Sequence, residues 1–268
     1  MTSLTVMTFN VRYDEEADGR HAWRYRRDLV RDAITAHDPD LLGVQEPMPH
    51  QWDNLTAALP ALSRLRSAGD ESDDDEPVGG FFRTSRLEWR NGGTFWLSDT
   101  PAVPHSISWP HDYGARLCRW AKLRDRLAQR EIVFACTHFD TNVLSSLPSA
   151  KVLHAELDAV AAAAPIIVVG DFNSAAGSGA HQYLRDVAAY RDAWTEAGHA
   201  DEGVVTFNGF SAADGARDTV ASEHGNYRID WILLRGPIAC TSAEIDTRRP
   251  GGLPPSDHYP VIATIEWE

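Results

Sequence analysis

The stretch Ile166-Ile167-Val168-Val169-Gly170-Asp171-Phe172-Asn173 runs four aliphatic residues and a glycine straight into an acid and an amide. A short, unbroken run of aliphatic, β-branched residues is the pattern of a strand covered on both faces. The preceding residues 149–164 are rich in Ala and Leu and stop at Pro165, so a helix is expected there. Helix followed by doubly covered strand is the signature of an α/β architecture. The Asp-Phe-Asn ending is ambiguous alone, since Asp and Asn also favour plain turns.

Working outward, the same ending recurs. Residues 4–11 read as a buried strand carrying Asn10 at its end, and residues 41–46 as another that closes on Gln45-Glu46. Residues 131–137, paired with 116–123, lead into Thr137-His138-Phe139-Asp140. Arg228-Ile229-Asp230 opens a strand over 228–234, and Ser256-Asp257-His258 precedes one over 261–267. Between them, Leu29, Val30, Ala33, Ile34 and His37 recur at helical spacing over 23–37, and Asp38-Pro39-Asp40 stops that helix. Residues 13–22 read as a polar loop. Further helices are expected over 52–59 and 182–197, and strands near 204–207 and 239–245. A hairpin is expected from 86–90 and 94–98 around Asn91-Gly92-Gly93. There is no linker and no repeat of fixed period, but both halves share a strand–helix rhythm. This predicts one α/β domain over residues 1–268 with two stacked sheets. Six strand ends rich in Asp, Asn, Glu and His predict that one edge of those sheets converges on a charged site.

Composition narrows the class. Of 268 residues, 43% are apolar and 24% charged, which excludes a mostly disordered or fibrous chain. No apolar run approaches the roughly 18–20 residues of a membrane span. The opening MTSLTVMTFNVRYDEE lacks a basic segment followed by an apolar one, so no secretory leader and a cytoplasmic location are expected if the chain is complete. A formal charge of −14 repels polyphosphate at long range and lowers the expectation of tight, non-specific duplex binding. A local basic cleft or a bound metal would override it. Cys118, Cys136 and Cys240 have no zinc-type spacing and read as reduced structural thiols. The acidic run over 69–77 reads as a solvated loop, because it lacks the spacing of a calcium-binding loop. No obligate protein partner is evident.

The polar endings suit one chemistry. Glu46, Asp171, Asp257 and Asp230 are hard oxygen donors, and Asn10 and Asn173 add neutral oxygens. With no cysteine among them, such a set favours Mg²⁺ or Mn²⁺ over structural zinc. His138 and His258 offer groups that titrate near neutrality. Metal, carboxylate and imidazole together suit in-line attack of water on phosphorus.

The ordered set Thr8-Phe9-Asn10, Gln45-Glu46, Thr137-His138-Phe139-Asp140, Gly170-Asp171-Phe172-Asn173, Arg228-Ile229-Asp230-Trp231-Ile232 and Ser256-Asp257-His258-Tyr259-Pro260-Val261 resembles the endonuclease/exonuclease/phosphatase superfamily. That group includes deoxyribonuclease I, apurinic endonucleases, deadenylases, inositol polyphosphate phosphatases and neutral sphingomyelinases. The resemblance spans residues 8 to 261. It implies a four-layer α/β/β/α sandwich, two stacked mixed sheets flanked by helices, with the site at one end of the sheets.

Carried over residue by residue, the resemblance implies Glu46 as principal metal ligand, with Asn10 and Asp257 beside it. Asp171 would orient or deprotonate the attacking water, and Asn173 would donate to a phosphoryl oxygen. His258 would stabilise added negative charge, oriented by Asp230. His138 would donate to a phosphate oxygen or the leaving group, and Asp140 would either orient His138 or hold its loop. Arg116 matches a phosphate-binding cation, with a plain salt bridge as the ordinary alternative. Trp23 reads as helix-start packing more than as a base-stacking platform. Thr206-Phe207-Asn208-Gly209-Phe210 resembles a cleft-lining loop, and His224 is a weaker candidate for substrate contact.

The expected activity is divalent-metal-dependent hydrolysis of a nucleotide or other small phosphoester. A nuclease acting on DNA or RNA is the alternative, with Tyr113, Phe210 and Tyr227 as candidate stacking surfaces. A catalytically inactive binding module is a second alternative. A sphingomyelinase-like role fits least, because no basic amphipathic helix or apolar hairpin is present for a membrane surface.

Overall fold

The computed structural model describes residues 3–65, 77–210 and 227–268. Strand β1 (Ser3–Asn10) lies parallel to β2 (Leu41–Gln45), and helix α1 (Trp23–His37) makes the crossover between them. The same unit recurs later in the chain. There β7 (Arg130–His138) lies parallel to β8 (Ile166–Asp171), with α3 (Val143–Ala161) between them. Parallel neighbours require such a crossover, whereas antiparallel neighbours are joined by turns.

The other elements complete two sheets. They are α2 (Pro49–Ala58), β3 (Leu62–Arg64), β4 (Val78–Arg83), β5 (Leu87–Trp96), β6 (Leu117–Asp125), α4 (Gly179–Gln182), β9 (Arg191–Asp192), α5 (Ala193–Glu196), β10 (Asp230–Arg235), β11 (Ile238–Ile245) and β12 (Val261–Trp267). Among the described residues, one six-stranded sheet has the order β11-β12-β1-β2-β4-β3 and the other β5-β6-β7-β8-β10-β9.

Alternation along the strands sorts the apolar side chains into three layers of contact. Leu4, Val6 and Leu41 of one sheet meet Phe134, Cys136, Ile167 and Val169 of the other. Met7, Phe9, Leu42 and Val44 point the other way, onto Val30 and Ile34 of α1 and Trp52 and Leu55 of α2. Val133, Ala135 and Val168 pack on Leu153 and Leu157 of α3. The result is the expected four-layer α/β/β/α sandwich.

The sheets pack tightly just beneath the strand ends that carry the acids. A Cβ on Gly43 would lie 2.2 Å from Val169 Cγ2 and 3.1 Å from Cys136 Sγ, so β2 accepts no side chain there. Gln45 Nε2 donates across the interface to Cys136 Sγ at 3.1 Å and within its own sheet to Thr8 Oγ1 at 3.2 Å. These contacts lie one to three residues before Glu46, His138 and Asp171, and they hold the two rims at a fixed separation.

Several expectations need correction. Asn91-Gly92-Gly93 is not a hairpin turn: β5 runs through it and pairs with β6 along its length, with a register slip between Trp89 and Asn91. The residues that suit a turn here accommodate a bulge. The helix expected over 182–197 is broken into α4, a π-helical turn at Tyr183–Val187, β9 and α5. Asp192 dictates the break. It is buried, caps α5 through the Trp194 N–H at 3.0 Å, and binds His181 at 2.8 Å and Arg228 at 2.6 Å.

Helix α3 begins at Val143 rather than 149, because Asn142 Oδ1 accepts the Leu144 N–H at 3.1 Å as a cap. No strand forms over 204–207; only Phe207 bridges to His258. The 13–22 loop contains a 3-10 segment, Glu16–His21. Most of the acidic run 69–77 and His224 lie outside the described residues. Among the described residues, no helix is long and apolar enough to cross a membrane.

Candidate active site

Asn10, the last residue of β1, ties the two sheets together at their polar rim. Its Nδ2 donates to Glu46 Oε1 at 2.9 Å, just past β2, and to Asp171 Oδ2 at 3.0 Å, at the end of β8 in the other sheet. Its Oδ1 accepts the Arg12 N–H at 3.0 Å, and its carbonyl accepts Ser256 Oγ at 2.7 Å. That last bond brings in the segment carrying Asp257 and His258. Glu46 adopts φ +68°, unusual for a residue with a Cβ, as β2 turns out of its sheet.

The register of the second sheet does the rest. Asp171 pairs with His138 on β7 and with Asp230 on β10, so three strand ends lie abreast. His138 Nε2 lies 3.4 Å and His258 Nε2 3.6 Å from Asp171 Oδ2. His258 Nδ1 meets Asp230 Oδ2 at 2.9 Å. Thr206 fixes that pair. Its Oγ1 accepts the N–H groups of Ile229 and Asp230 at 3.0 and 3.1 Å, and its carbonyl accepts the Tyr259 N–H at 2.7 Å. The Phe207 ring packs edge-on against His258, with centroids 5.0 Å apart. Asn173 Nδ2 donates to the Phe139 carbonyl at 2.9 Å and lies 3.0 Å from His138 Nε2.

Seven of the expected residues therefore converge: Asn10, Glu46, His138, Asp171, Asn173, Asp230 and His258. Single ligand atoms of Glu46, His138 and Asp171 lie within 4.8 Å of one another, as do those of Asp171, Asp230 and His258. Asp257 belongs to neither triplet. It faces Glu46 across Arg12, whose Nε is 3.7 Å from Asp257 Oδ2 and whose Nη1 is 4.0 Å from Glu46 Oε2.

Burial sets the charge states. It pushes the Asp171 carboxyl up to about 7, with Asp230 adding repulsion and His258 opposing it. Burial also raises Asp257, with Glu46 as an added repulsive neighbour. Burial disfavours charge on the His258 imidazole, yet Asp230 and Asp171 hold it well above the usual histidine range. Asp230 Oδ1 is buried with no hydrogen-bond partner. Crowded, buried carboxylates with an orphaned oxygen among them are the donor set a hard dication satisfies.

Asp140 holds its loop. Its oxygens accept the N–H groups of Asp112 at 2.7 Å, Tyr113 at 3.0 Å and Asn142 at 3.0 Å, and Arg116 Nε at 3.3 Å. Burial opposes its charge, but these donors leave its pKa below the ordinary carboxylate value. Arg116 is thus salt-bridged to Asp140 two residues beyond His138. Trp23 packs in the α1–α2 layer and donates Nε1 to Asn54 Oδ1 at 2.9 Å. Phe210 stacks on His21, with centroids 4.4 Å apart.

Sequence reading missed Arg12, Arg26 and Gln51, and it took Thr206 only as part of a cleft-lining loop, not as the residue that fixes the Asp230–His258 pair. Buried Arg26 donates to the carbonyls of Val11, Arg12, Tyr13 and His21, and so shapes the loop after Asn10. Burial lowers its guanidinium to about 10, which leaves it charged at neutral pH. The signal was available: Arg26 stands on the apolar stripe of α1 between Trp23 and Val30, where a cation is out of place.

The sandwich and its rim define a class of hydrolases that act on phosphoesters. The chain belongs to the Endonuclease/Exonuclease/phosphatase family, whose model matches residues 7–258. Members of that family are phosphoester hydrolases and generally use a divalent metal. The chain is similar to an endonuclease/exonuclease/phosphatase from Bacteroides vulgatus, with 28% identity, 100% of each chain covered and a TM-score of 0.86. It shares the fold of the mannosyl-6-phosphatase Bt3783 of Bacteroides thetaiotaomicron, with 24% identity over 98% of this chain and 100% of that one and a TM-score of 0.83. It is also 26% identical over 172 residues to uncharacterized protein L388 of Acanthamoeba polyphaga mimivirus; the match covers 58% of this chain and 60% of that protein's length.

Proposed function

We propose that the chain hydrolyses a nucleotide or other small phosphoester with the help of Mg²⁺ or Mn²⁺. One observation carries the reading: a single amide, Asn10 Nδ2, bonds a carboxylate from each sheet, so Glu46 and Asp171 act in one pocket.

Glu46 would hold the dication, with Asn10 and Asp257 beside it. When bound, the ion polarises a phosphoryl oxygen and offsets charge on the leaving oxygen. Asp171 accepts a proton from the attacking water. A carboxylate lifted to about 7 is matched to that task at neutral pH. The Asn10 amide and the Asn173 N–H, at 3.0 and 2.9 Å, keep its oxygens aimed. The water oxygen forms the new bond to phosphorus, the ester P–O bond breaks in line with it, and the leaving oxygen takes up a proton. His138 and Asn173 donate to the phosphoryl or leaving oxygen. Protonated His258, braced by Asp230, faces the charge that builds up on the phosphoryl group. Donors fixed in place before the reaction supply much of the barrier reduction in such sites.

The test is hydrolysis of p-nitrophenyl phosphate and bis-p-nitrophenyl phosphate with Mn²⁺ or Mg²⁺. Turnover abolished by EDTA is expected. No turnover on any phosphoester with either ion would overturn the reading in favour of a binding module. A phosphate-release panel of nucleotides and sugar phosphates, run beside labelled oligonucleotides, separates the small-molecule reading from a nuclease. Mannose 6-phosphate belongs in the panel because the Bacteroides thetaiotaomicron neighbour is a mannosyl-6-phosphatase.

A further inference from the structure

Arg12 occupies a place that the chemistry of a dication site does not call for. Its guanidinium lies among three carboxylates. Nε and Nη2 grip Asp18 at 3.1 and 3.3 Å, Nε is 3.7 Å from Asp257, and Nη1 is 4.0 Å from Glu46. The face of the group lies 4.0 Å from the centroid of the Tyr13 ring.

The backbone is strained to put it there. Arg12 has φ +56°, in the left-handed region that a residue with a Cβ enters at a cost. Two buried side chains enforce that turn, since the Arg12 carbonyl accepts Arg26 Nη2 at 2.6 Å and Gln51 Nε2 at 2.9 Å. The Arg12 N–H is taken by Asn10 Oδ1, the other end of the amide that ties Glu46 to Asp171. A strained residue held by this many bonds points to a task for its side chain.

We infer that Arg12 is a positioning residue that competes with the dication: tethered by Asp18, its guanidinium offsets the charge of Glu46 and Asp257 and thereby weakens and sets the affinity for Mg²⁺ or Mn²⁺. The inference rests on the metal reading above. A fixed positive charge about 4 Å from the ligand oxygens opposes an incoming dication. Asp18 works in the opposite sense, because its bidentate grip draws the guanidinium away from the two acids. The pocket then binds its ion loosely.

Mn²⁺ binding to the full chain, read from the electron paramagnetic resonance of the free ion, tests this without any turnover. Arg12→Gln should bind Mn²⁺ about tenfold more tightly than wild type, and Arg12→Lys, which keeps the charge, should stay close to wild type. Asp18→Asn should weaken binding, and that weakening should vanish in the Arg12→Gln background. An Arg12→Gln variant that binds no more tightly overturns the inference. So does an Asp18→Asn effect of equal size in both backgrounds, which would be loss of a nearby negative charge alone. Asp18→Asn leaves Arg12 in place and keeps the test open if Arg12→Gln fails to fold; unchanged affinity there also overturns it. EDTA-sensitive turnover combined with unchanged affinities would sink Arg12 and leave the hydrolase standing. Absence of Mn²⁺ binding in both wild type and Arg12→Gln would remove the metal itself.

Discussion

Asp171 shows how much a single side chain owes to its surroundings. On the surface it would be an ordinary carboxylate. Buried between His138, His258 and Asn10, its carboxyl is pushed up to about 7, which suits the base that the proposed function asks for. Asp171→Asn should lower kcat by about 10²–10⁴-fold while KM changes little, the range a positioned base contributes. Steady-state kinetics on a chromogenic phosphoester decides it; a kcat near wild type would remove Asp171 from the proposed mechanism. At this scale the sequence is legible wherever a polar residue interrupts an apolar context. Asn10, Glu46, Asp171 and His258 all stand out for that reason. Arg12 does not, because an arginine in a polar loop looks solvated until Asp18, Asp257 and Glu46 are seen around it.

The turn between β6 and β7 is an element whose stability follows from one buried acid. Asp125 takes a bidentate pair from Arg86 at 2.8 and 2.9 Å and Trp267 Nε1 at 2.9 Å. It also takes the turn N–H groups of Leu127 and Ala128 at 2.8 and 3.1 Å. Burial opposes its charge, but Arg86, Trp267 and the two N–H groups outweigh it and bring the carboxyl down to about 2. The folded value lies below the unfolded one. Its stabilisation is therefore complete above the unfolded value of about 4 and is lost as pH falls toward 2. Asp125→Asn should destabilise the protein by about 2–3 kcal/mol near neutrality, with the difference in urea midpoint shrinking as pH drops below about 4. A pH-independent difference would contradict this account.

Elements were legible where one periodicity ran without interruption, as in α1, β8 and the β6–β7 pair. They were misread where local propensity and tertiary contacts disagree. The Asn91-Gly92 pair suits a turn, yet the neighbouring strand β6 holds it in a bulged strand. The 182–197 stretch has helical composition, yet buried Asp192 must meet His181 and Arg228. Strand β4 escaped notice because its two glycines look like a loop. Gly80 is required there, since a Cβ would sit 2.4 Å from the Leu42 carbonyl oxygen.

At the scale of the whole molecule, the three thiols are shut inside. Cys118, Cys136 and Cys240 are all buried and unpaired with one another. Burial raises each of them, Cys136 and Cys240 to about 12 and Cys118 well above the usual thiol value. A colorimetric thiol reagent should label none of them in the native protein and all of them after unfolding in guanidinium. Rapid native labelling would show that the sheets part easily.

The two crossover units, β1–α1–β2 and β7–α3–β8, each deliver only part of the reactive rim: Asn10 and Glu46 from one, His138 and Asp171 from the other. Neither half of the polypeptide owns a working centre. On the proposed function, a nascent chain would therefore stay chemically silent on the ribosome until both sheets have closed on each other. A single proteolytic cut that lets them drift apart would then switch off the proposed hydrolysis as surely as erasing Glu46.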